Sequence, residues 1–149
     1  MDNASKLTLI ASGVFFLTGL LTGIWKYITI VKSEGHDAPR YISVSHQASL
    51  HYAFAALVLL KLLEFSPYTE TINLLAVAFP LFFFALAIAT YIAHGILQDT
   101  DNQFKKPYQF GRILLPPPLF HAFVWLLIIG EVGGFLVLFV GVLIAQVLK

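Results

Sequence analysis

The sequence predicts an all-α protein, a single polytopic membrane four-helix bundle over residues 1–149 with both termini on the extracytoplasmic side. Its residues are 58% hydrophobic and only 11% charged, whereas a soluble domain averages about 25% charged residues. Four apolar stretches are long enough to cross a hydrocarbon core of about 30 Å, which needs about 20 helical residues. Basic residues concentrate at one end of these stretches, which orients the bundle.

The predicted helices follow from the apolar runs and the turn signals between them. They cover about 7–31, 45–64, 71–97 and 117–148. The first run lacks a small-residue cleavage motif and exceeds the core of a signal peptide, so it is predicted to be a retained helix. The fourth begins within the run Pro116 to Pro118, which suits a helix start because N–H groups of the first turn are unpaired anyway.

Two polar loops, 32–44 and 98–116, follow the first and third helices and therefore share one side. That side carries most of the basic residues: Lys26, Lys32, Arg40, Lys105, Lys106 and Arg112. The positive-inside rule places both loops in the cytoplasm, and we expect a multi-pass protein of a bacterial inner membrane with the lipid bilayer around it. The formal net charge of +1 is too small to suggest a nucleic-acid partner.

All five histidines fall near this cytoplasmic side: His36, His46, His51, His94 and His121. Imidazole is the commonest neutral metal ligand. His51, His94 and His121 come from three helices at similar depth, which predicts a shared site for zinc, copper, nickel or non-haem iron. A hydrogen-bonded network without metal is the alternative. His36 is predicted to be a solvated loop residue.

His46 precedes His51 by five residues, or about 140° around a helix, so the two cannot share a face inside a regular helix. His46 could still point inward together with His51 if it lies in the helix cap, with Ser43 or Ser45 as the N-cap residue.

The end of the third helix is unusually polar. Thr90 and Tyr91 lie four and three residues before His94, so the three side chains can face one cavity. Asp99 follows in a loop turn and can hold the tautomer of a histidine from a second shell.

Haem b is the favoured cofactor. The chain has no cysteine, which excludes iron–sulfur clusters and covalently attached haem. It has 14 Phe, 6 Tyr and 2 Trp for apolar walls, and Arg40 and Arg112 lie at the rim where propionates would emerge. We expect an axial histidine from the second helix, His51 or His46, with His94 or His121 as a second ligand or a distal group.

Lys61 and Glu131 are charged residues inside predicted spans. The second and fourth helices overlay at an offset of 70 residues, which matches His51 with His121 and Lys61 with Glu131. The two charges then lie at similar depth, where they could form an ion pair between helices, because an unpaired intramembrane charge is costly. Snorkelling of Lys61 to its helix end is the alternative.

Small residues recur at spacings of four in the first and fourth helices. They are the pairs Gly19 and Gly23, and Gly130 and Gly134. Such GxxxG pairs let helix backbones approach closely, either within the bundle or between subunits of a homo-oligomer.

The chain resembles the styrene oxide isomerase family in its four-span layout, in its length and in three short motifs. These are Ser45-His46 opening the second helix, Leu63-Glu64-Phe65 closing it, and a polar tract around Tyr91. Members of that family bind haem b and rearrange epoxides to aldehydes. The resemblance implies that His46 is the haem ligand and Tyr91 a substrate contact. His51 or Tyr52 stands where the family has an asparagine that positions the substrate.

These observations predict a haem-dependent isomerase or oxidoreductase that acts on an apolar small molecule. Tyr91, His94 and Tyr52 are the catalytic candidates. Two axial ligands would instead indicate a bis-histidine cytochrome b-type protein that exchanges electrons with a partner such as a quinone. A non-haem metal-binding transporter and a structural subunit of a membrane complex are the remaining alternatives.

Overall fold

The structure is a computed structural model that describes residues 1–146. This part of the chain forms four α-helices and one short antiparallel hairpin. The helices are α1 (Asn3–Lys32), α2 (Arg40–Leu63), α3 (Glu70–Leu97) and α4 (Pro117–Gln146), and the strands are β1 (Gln109–Phe110) and β2 (Ile113–Leu114). The all-α prediction is confirmed. The predicted end of the fourth helix at 148 lies outside the described residues.

Three of the four helices, α1, α3 and α4, are long and apolar enough to cross a membrane. The fourth, α2, is not among them, because polar residues crowd its first half: Ser43, Ser45, His46, Gln47, Ser49 and His51. Many large apolar side chains on the outer surface are exposed, including Ile10 of α1 and Ile129 of α4. This surface is typical of a protein in contact with lipid.

The helix α2 begins five residues earlier than predicted. Pro39 directly precedes it, where the missing proline N–H breaks no helical hydrogen bond. The first loop is therefore only 33–39, and His46 lies in the second turn of a regular helix. Neither Ser43 nor Ser45 is a cap; the Ser45 hydroxyl donates to the Ile42 carbonyl at 2.9 Å.

The two polar loops lie at the same end of the bundle, which we call the loop end (residues 33–39 and 98–116). At this end the Gln103 backbone N–H donates to the Tyr41 hydroxyl at 2.7 Å. At the opposite end the Asn3 side-chain amide donates to Glu70 Oε1 at 2.7 Å. Because α1 and α3 both start at that opposite end, they run parallel and α2 runs back between them.

The interior is formed mainly by α1, α2 and α3, whereas α4 packs chiefly on α3 and touches α2. The buried residues of α4 are only Gly130, Leu138 and Gly141. The hairpin and the loop around it cover the start of α4 at the loop end. This arrangement leaves a space between α3 and α4 beneath the hairpin.

Both GxxxG pairs are used inside the chain. A Cβ atom at Gly19 would come within 2.6 Å of the Leu50 side chain, and one at Gly23 within 2.8 Å of the His46 ring. On α4, Gly130 and Gly134 lie against α3 in the same way. The four glycines therefore support packing between helices of one chain, which is the first of the two uses predicted for them.

Candidate functional site

The most constrained polar group is the pair of His94 and Asp99 at the loop end. Gln98 ends α3 in a left-handed conformation, with φ 47°, and turns the chain back so that Asp99 lies beside His94. The His94 Nδ1–H donates to Asp99 Oδ1 at 2.7 Å, because a carboxylate can only accept. Both side chains are almost fully buried, with 3% and 6% exposure. The other ring nitrogen, Nε2, makes no hydrogen bond within the described residues and is free to act as base or ligand.

Two residues of the hairpin hydrogen-bond Asp99 and thereby hold this pair in place. The Gly111 backbone N–H donates to Asp99 Oδ2, and the Gln109 side-chain amide donates to the Asp99 backbone carbonyl. Gly111 has φ +59°, a left-handed conformation that glycine adopts without strain. The strand turn therefore supplies a second hydrogen bond to the carboxylate that orients His94.

The Asp99 carboxyl is held as a carboxylate. Burial by itself raises its pKa, but the hydrogen bonds from His94 and the Gly111 N–H outweigh that effect and bring the pKa below the ordinary aspartate value. A charged acceptor gives a stronger hydrogen bond than a neutral one. The tautomer of His94 with its proton on Nδ1 is therefore favoured.

Aromatic rings enclose the imidazole. The Tyr41 ring lies 4.9 Å from the His94 ring centre and the Phe110 ring 5.3 Å from it. Gly95 is needed next to His94, because a Cβ there would come within 2.9 Å of Trp25 and 3.3 Å of Ile42. The close approach of α1 and α2 at this glycine completes the enclosure.

Two cavities meet at His94. On the membrane side, a cavity of about 460 Å³ lies between α3, α4 and the hairpin; we call it the apolar cavity. Its walls are mostly aliphatic and aromatic, and its polar side chains are Thr90, Tyr91, His94, Gln103 and Gln109. On the loop side, a polar cavity of about 700 Å³ has Lys32, Arg40, Asp37 and Asp101 among its lining residues.

Of the two tyrosines predicted to be catalytic, only Tyr91 reaches this site. It lines the apolar cavity with His94 and stacks on Tyr41 at 6.1 Å. Tyr52 lies deeper, stacked on Phe84 at 4.2 Å, and does not line the cavity. The structure therefore brings Tyr91 and His94 together and separates Tyr52 from them.

His46 is the second histidine with a fixed ring. Its Nδ1 lies 2.8 Å from the Gly19 carbonyl oxygen. Since a carbonyl only accepts, Nδ1 carries the proton, and Nε2 makes no hydrogen bond to any residue between 1 and 146. A backbone carbonyl is a common second-shell partner of a ligating histidine. The His46 ring packs against α1 at Gly19 and Gly23, where the absence of a side chain leaves space for it.

The predicted centre of His51, His94 and His121 is not formed. His51 is exposed and lies about 140° around α2 from His46, so it faces away from the bundle. His121 is also exposed and hydrogen-bonds the Tyr108 hydroxyl through Nε2 at 3.2 Å. Within residues 1–146 no group of three or more histidines or carboxylates could hold a metal ion. Depth and rotation are both responsible. Ile42 of α2 lies beside Gly95, so His51, nine residues farther along α2, lies about 14 Å from the level of His94 at 1.5 Å per residue. His121 is exposed on α4 rather than turned toward His94.

The two arginines predicted to meet propionates lie apart. Arg40 lines the polar cavity together with Lys32, whereas Arg112 is exposed in the hairpin turn. His36 is exposed in the first loop, as predicted.

The predicted ion pair between Lys61 and Glu131 is wrong. Lys61 Nζ pairs instead with Glu64 Oε2 at 2.6 Å, and both side chains are more than half exposed. Lys61 thus reaches out at its helix end, which is the snorkelling alternative. Glu131 remains inside the bundle with Oε1 buried, and this atom has no hydrogen-bond partner among the described residues.

Sequence reasoning anticipated Asp99 as a second-shell residue but missed the hairpin and Tyr41. The signal for the hairpin was weak, since its strands are two residues each. The two residues between the strands are Gly111 and Arg112. A glycine between two short runs that contain apolar residues is a turn signal that could have revealed the hairpin. Tyr41 was missed because it was assigned to a loop rather than to α2.

Comparisons with family models, with curated proteins and with solved structures give no match for this chain. The function proposed below is therefore supported by the geometry of the site and by the resemblance described above.

Proposed function

We propose that this protein is an integral membrane enzyme that takes an apolar small molecule into the apolar cavity, with His94 as the reacting or ligating group. One observation carries this proposal: a buried imidazole, fixed through Nδ1 by a buried carboxylate, lines a mainly apolar cavity between two membrane-type helices. Pockets of this kind, with few convergent polar groups, are the usual form of small-molecule sites. Tyr91 is the neighbouring group that contacts the substrate.

The proposed topology has four spans. Because α1 and α3 start at the same end of the bundle, a membrane crossing by both requires α2 to cross in the opposite direction. Its 24 residues reach about 36 Å at 1.5 Å per residue, and Ser45 and Ser49 of its polar first half are buried. The positive-inside rule supports a cytoplasmic loop end in a bacterial inner membrane.

Haem b is the proposed cofactor, as the resemblance to styrene oxide isomerases implies. The donor set fits: His94 and His46 each have a fixed ring and a free Nε2, and aromatic side chains line the cavity beside His94. Haem iron supplies Lewis-acid or redox chemistry to such a site. Asp99 or the Gly19 carbonyl would orient the ligating ring, and Lys32 with Arg40 offers positive charge at the loop end.

An enzyme is supported over the alternative functions. A bis-histidine cytochrome needs two free imidazoles that face one space. His46 packs on α1 and is not among the residues that line either cavity beside His94, while His51 is exposed and the Nε2 of His121 hydrogen-bonds Tyr108. A charged transport path through Lys61 and Glu131 is not supported either, since Lys61 pairs with Glu64 at the surface.

Visible spectroscopy of the purified protein, reconstituted with haem in nanodiscs, tests the proposal. We expect a Soret band whose intensity falls at least about tenfold in either His94→Ala or His46→Ala, because one of them supplies the axial nitrogen. His51→Ala and His36→Ala are matched controls, since both side chains are exposed, and should retain haem. If the wild-type protein shows no Soret band, haem is not its cofactor; if the controls lose haem as readily, neither fixed histidine is the ligand.

A further inference from the structure

A second apolar space lies between α3 and α4, farther from the loop end than the apolar cavity. It is a groove of about 430 Å³, which we call the seam groove. Its lining residues are apolar side chains and glycines, among them Ile72, Phe79 and Phe83 of α3 and Ile129, Gly133 and Val137 of α4. Phe79 and Ile129 are 54% and 64% exposed, so one side of the groove is open, and its apolar surface is typical of contact with lipid.

The seam groove continues the apolar cavity along the same face of each helix. On α3, Phe83 lines the groove and Ala87, four residues later, lines the cavity. On α4, Leu126 lines the groove and Phe123, three residues earlier, lines the cavity. Residues three or four apart are neighbours on one face of a helix. The groove and the cavity are therefore two parts of one apolar track between α3 and α4.

Polar side chains occur at only one end of this track. Tyr91 and His94 line the cavity near the loop end, whereas no polar side chain lines the groove. Along α3 the distance from His94 to Phe83, where the groove begins, is about 16 Å at 1.5 Å per residue. A ligand that contacts His94 and also fills the groove must therefore have a polar head and a long apolar chain, which points toward the middle of the membrane as a lipid chain does.

The lining of the track favours an uncharged head group. Among residues 1–146, no Lys, Arg, Asp or Glu lines the cavity or the groove, and an unpaired charge is costly in such surroundings. Backbone carbonyls already accept hydrogen bonds from the Thr90 hydroxyl and the Gln109 side-chain amide. The Tyr91 hydroxyl and His94 Nε2 remain, one as a donor and the other as an acceptor. A hydroxyl group can accept from the first and donate to the second.

We propose that this site binds an uncharged long-chain lipid, with its oxygen-containing head beside Tyr91 and His94 and its hydrocarbon chain in the seam groove. The proposal rests on the proposed function and names its substrate class, a chain-bearing molecule taken from the bilayer rather than a compact one. The Phe83 ring packs on Gly130 where the groove meets the cavity, so the chain passes along this ring. The open side of the groove admits the chain from lipid.

Photo-crosslinking of the purified protein in nanodiscs tests the position of the chain. The probe is octadecanol with a diazirine near its methyl end, and mass spectrometry of peptides locates the adducts. We expect adducts in the seam groove, at positions such as Phe79 and Ile129, that excess unlabelled octadecanol suppresses. Octadecane with the same diazirine lacks the head group and should label these positions much less, because nothing anchors it beside His94.

Gly133→Leu should block the groove without disturbing the fold. A Cβ at Gly133 would have no described atom within 4 Å, so a leucine side chain fits the protein and projects into the groove that Gly133 lines. We expect labelling of Phe79 and Ile129 to fall about tenfold, the scale of an overpacked site. Gly13→Leu is the matched control, because a Cβ at Gly13 also has open space and Gly13 lines a separate groove on α1 and α2. This control should label like the wild type.

A second probe, decanol with a diazirine beside its hydroxyl group, separates this proposal from the proposed function. If it labels the cavity near Tyr91 while octadecanol never labels the groove, the cavity takes compact molecules and only the long-chain proposal fails. If no probe labels the cavity, the proposed function fails as well.

Two further outcomes would overturn the long-chain proposal. Equal labelling of the groove by octadecanol and octadecane, without competition, would show that the groove holds bulk lipid. A groove that no probe labels, in a protein that native mass spectrometry finds to be a dimer, would show that a second copy covers it.

Discussion

Replacing Gly134 with alanine is expected to destabilise the protein by about 2 kcal/mol, the range of an overpacked interface. The added Cβ would meet the Ala76 backbone carbonyl oxygen and lie 2.6 Å from the Pro80 ring. Neither can move aside, because one is helix backbone and the other is a ring inside α3. The clash falls at the contact that holds α4, so α4 is the helix expected to detach. Unfolding by sodium dodecyl sulfate in mixed micelles, followed by circular dichroism, measures the effect.

The adjacent residue offers a matched control. A Cβ at Gly133 would have no described atom within 4 Å, and alanine is favoured over glycine in a helix by up to about 1 kcal/mol. Gly133→Ala should therefore leave stability unchanged or raise it slightly. If both variants lose stability equally, α4 does not pack on α3 through the face that contains Gly134, and the apolar cavity would have a different shape.

Replacing Asp99 with asparagine is expected to weaken the site more than any other substitution of similar size. The side chain keeps its shape but loses the charge that fixes the proton on His94 Nδ1. Removal of such a second-shell partner typically lowers metal affinity or activity by about 10–100-fold. If His94 is the haem ligand, haem titration should show this loss in Asp99→Asn. A stability loss of about 2 kcal/mol should accompany it, as for a buried hydrogen bond to a charged group.

The stability difference between the wild type and Asp99→Asn should depend on pH. Because the pKa of Asp99 is lowered in the folded protein, its contribution is fully present above the ordinary aspartate pKa of about 3.9. It is lost as the pH falls through the lowered value, where the carboxylate gains a proton. The two unfolding curves should therefore differ at pH 7, begin to approach each other only below about pH 3.9, and converge once the pH is below the lowered pKa of Asp99.

Asp101→Asn is the control for both measurements. Asp101 is exposed and lines the polar cavity near His94, so this variant removes a nearby charge without touching the imidazole. It should keep haem affinity and stability close to those of the wild type. An effect equal to that of Asp99→Asn would mean that the overall charge of the loop end, rather than the contact with His94, matters.

The sequence predicted the elements well and the pairings poorly. Hydrophobic runs longer than 20 residues identify helices reliably, because the membrane length requirement leaves few alternatives. The polar tract from Tyr91 to Asp99 could be identified from the sequence because it follows directly on an apolar helix. Polar residues at such a helix end find their partners among neighbours along the chain. Two residues of this tract, His94 and Asp99, form the site. They are five residues apart, so their contact depends mainly on the turn at Gln98 that ends α3.

Contacts between helices were harder to predict, because equal depth does not establish facing sides. Equal depth was predicted for His51, His94 and His121, but α2 begins five residues earlier than predicted, so His51 lies deeper than His94, and both His51 and His121 are exposed. Lys61 and Glu131 failed as a pair because Glu64 lies three residues from Lys61 on the same helix side. Lys61 can reach Glu64 without any contact between two helices, and this neighbour of opposite charge was visible in the sequence.

The sequence by itself determined the all-α class of this protein, its long apolar helices and the polar end of its third helix, because these depend on composition and on neighbours along the chain. Only the tertiary structure decided which histidines have fixed rings, where the apolar cavity lies and that Glu131 has no ion-pair partner among residues 1–146. Those features depend on helix rotation and on the close approach of helices at glycines such as Gly23 and Gly134. A shift of one helix by one turn along its neighbour would change all of them.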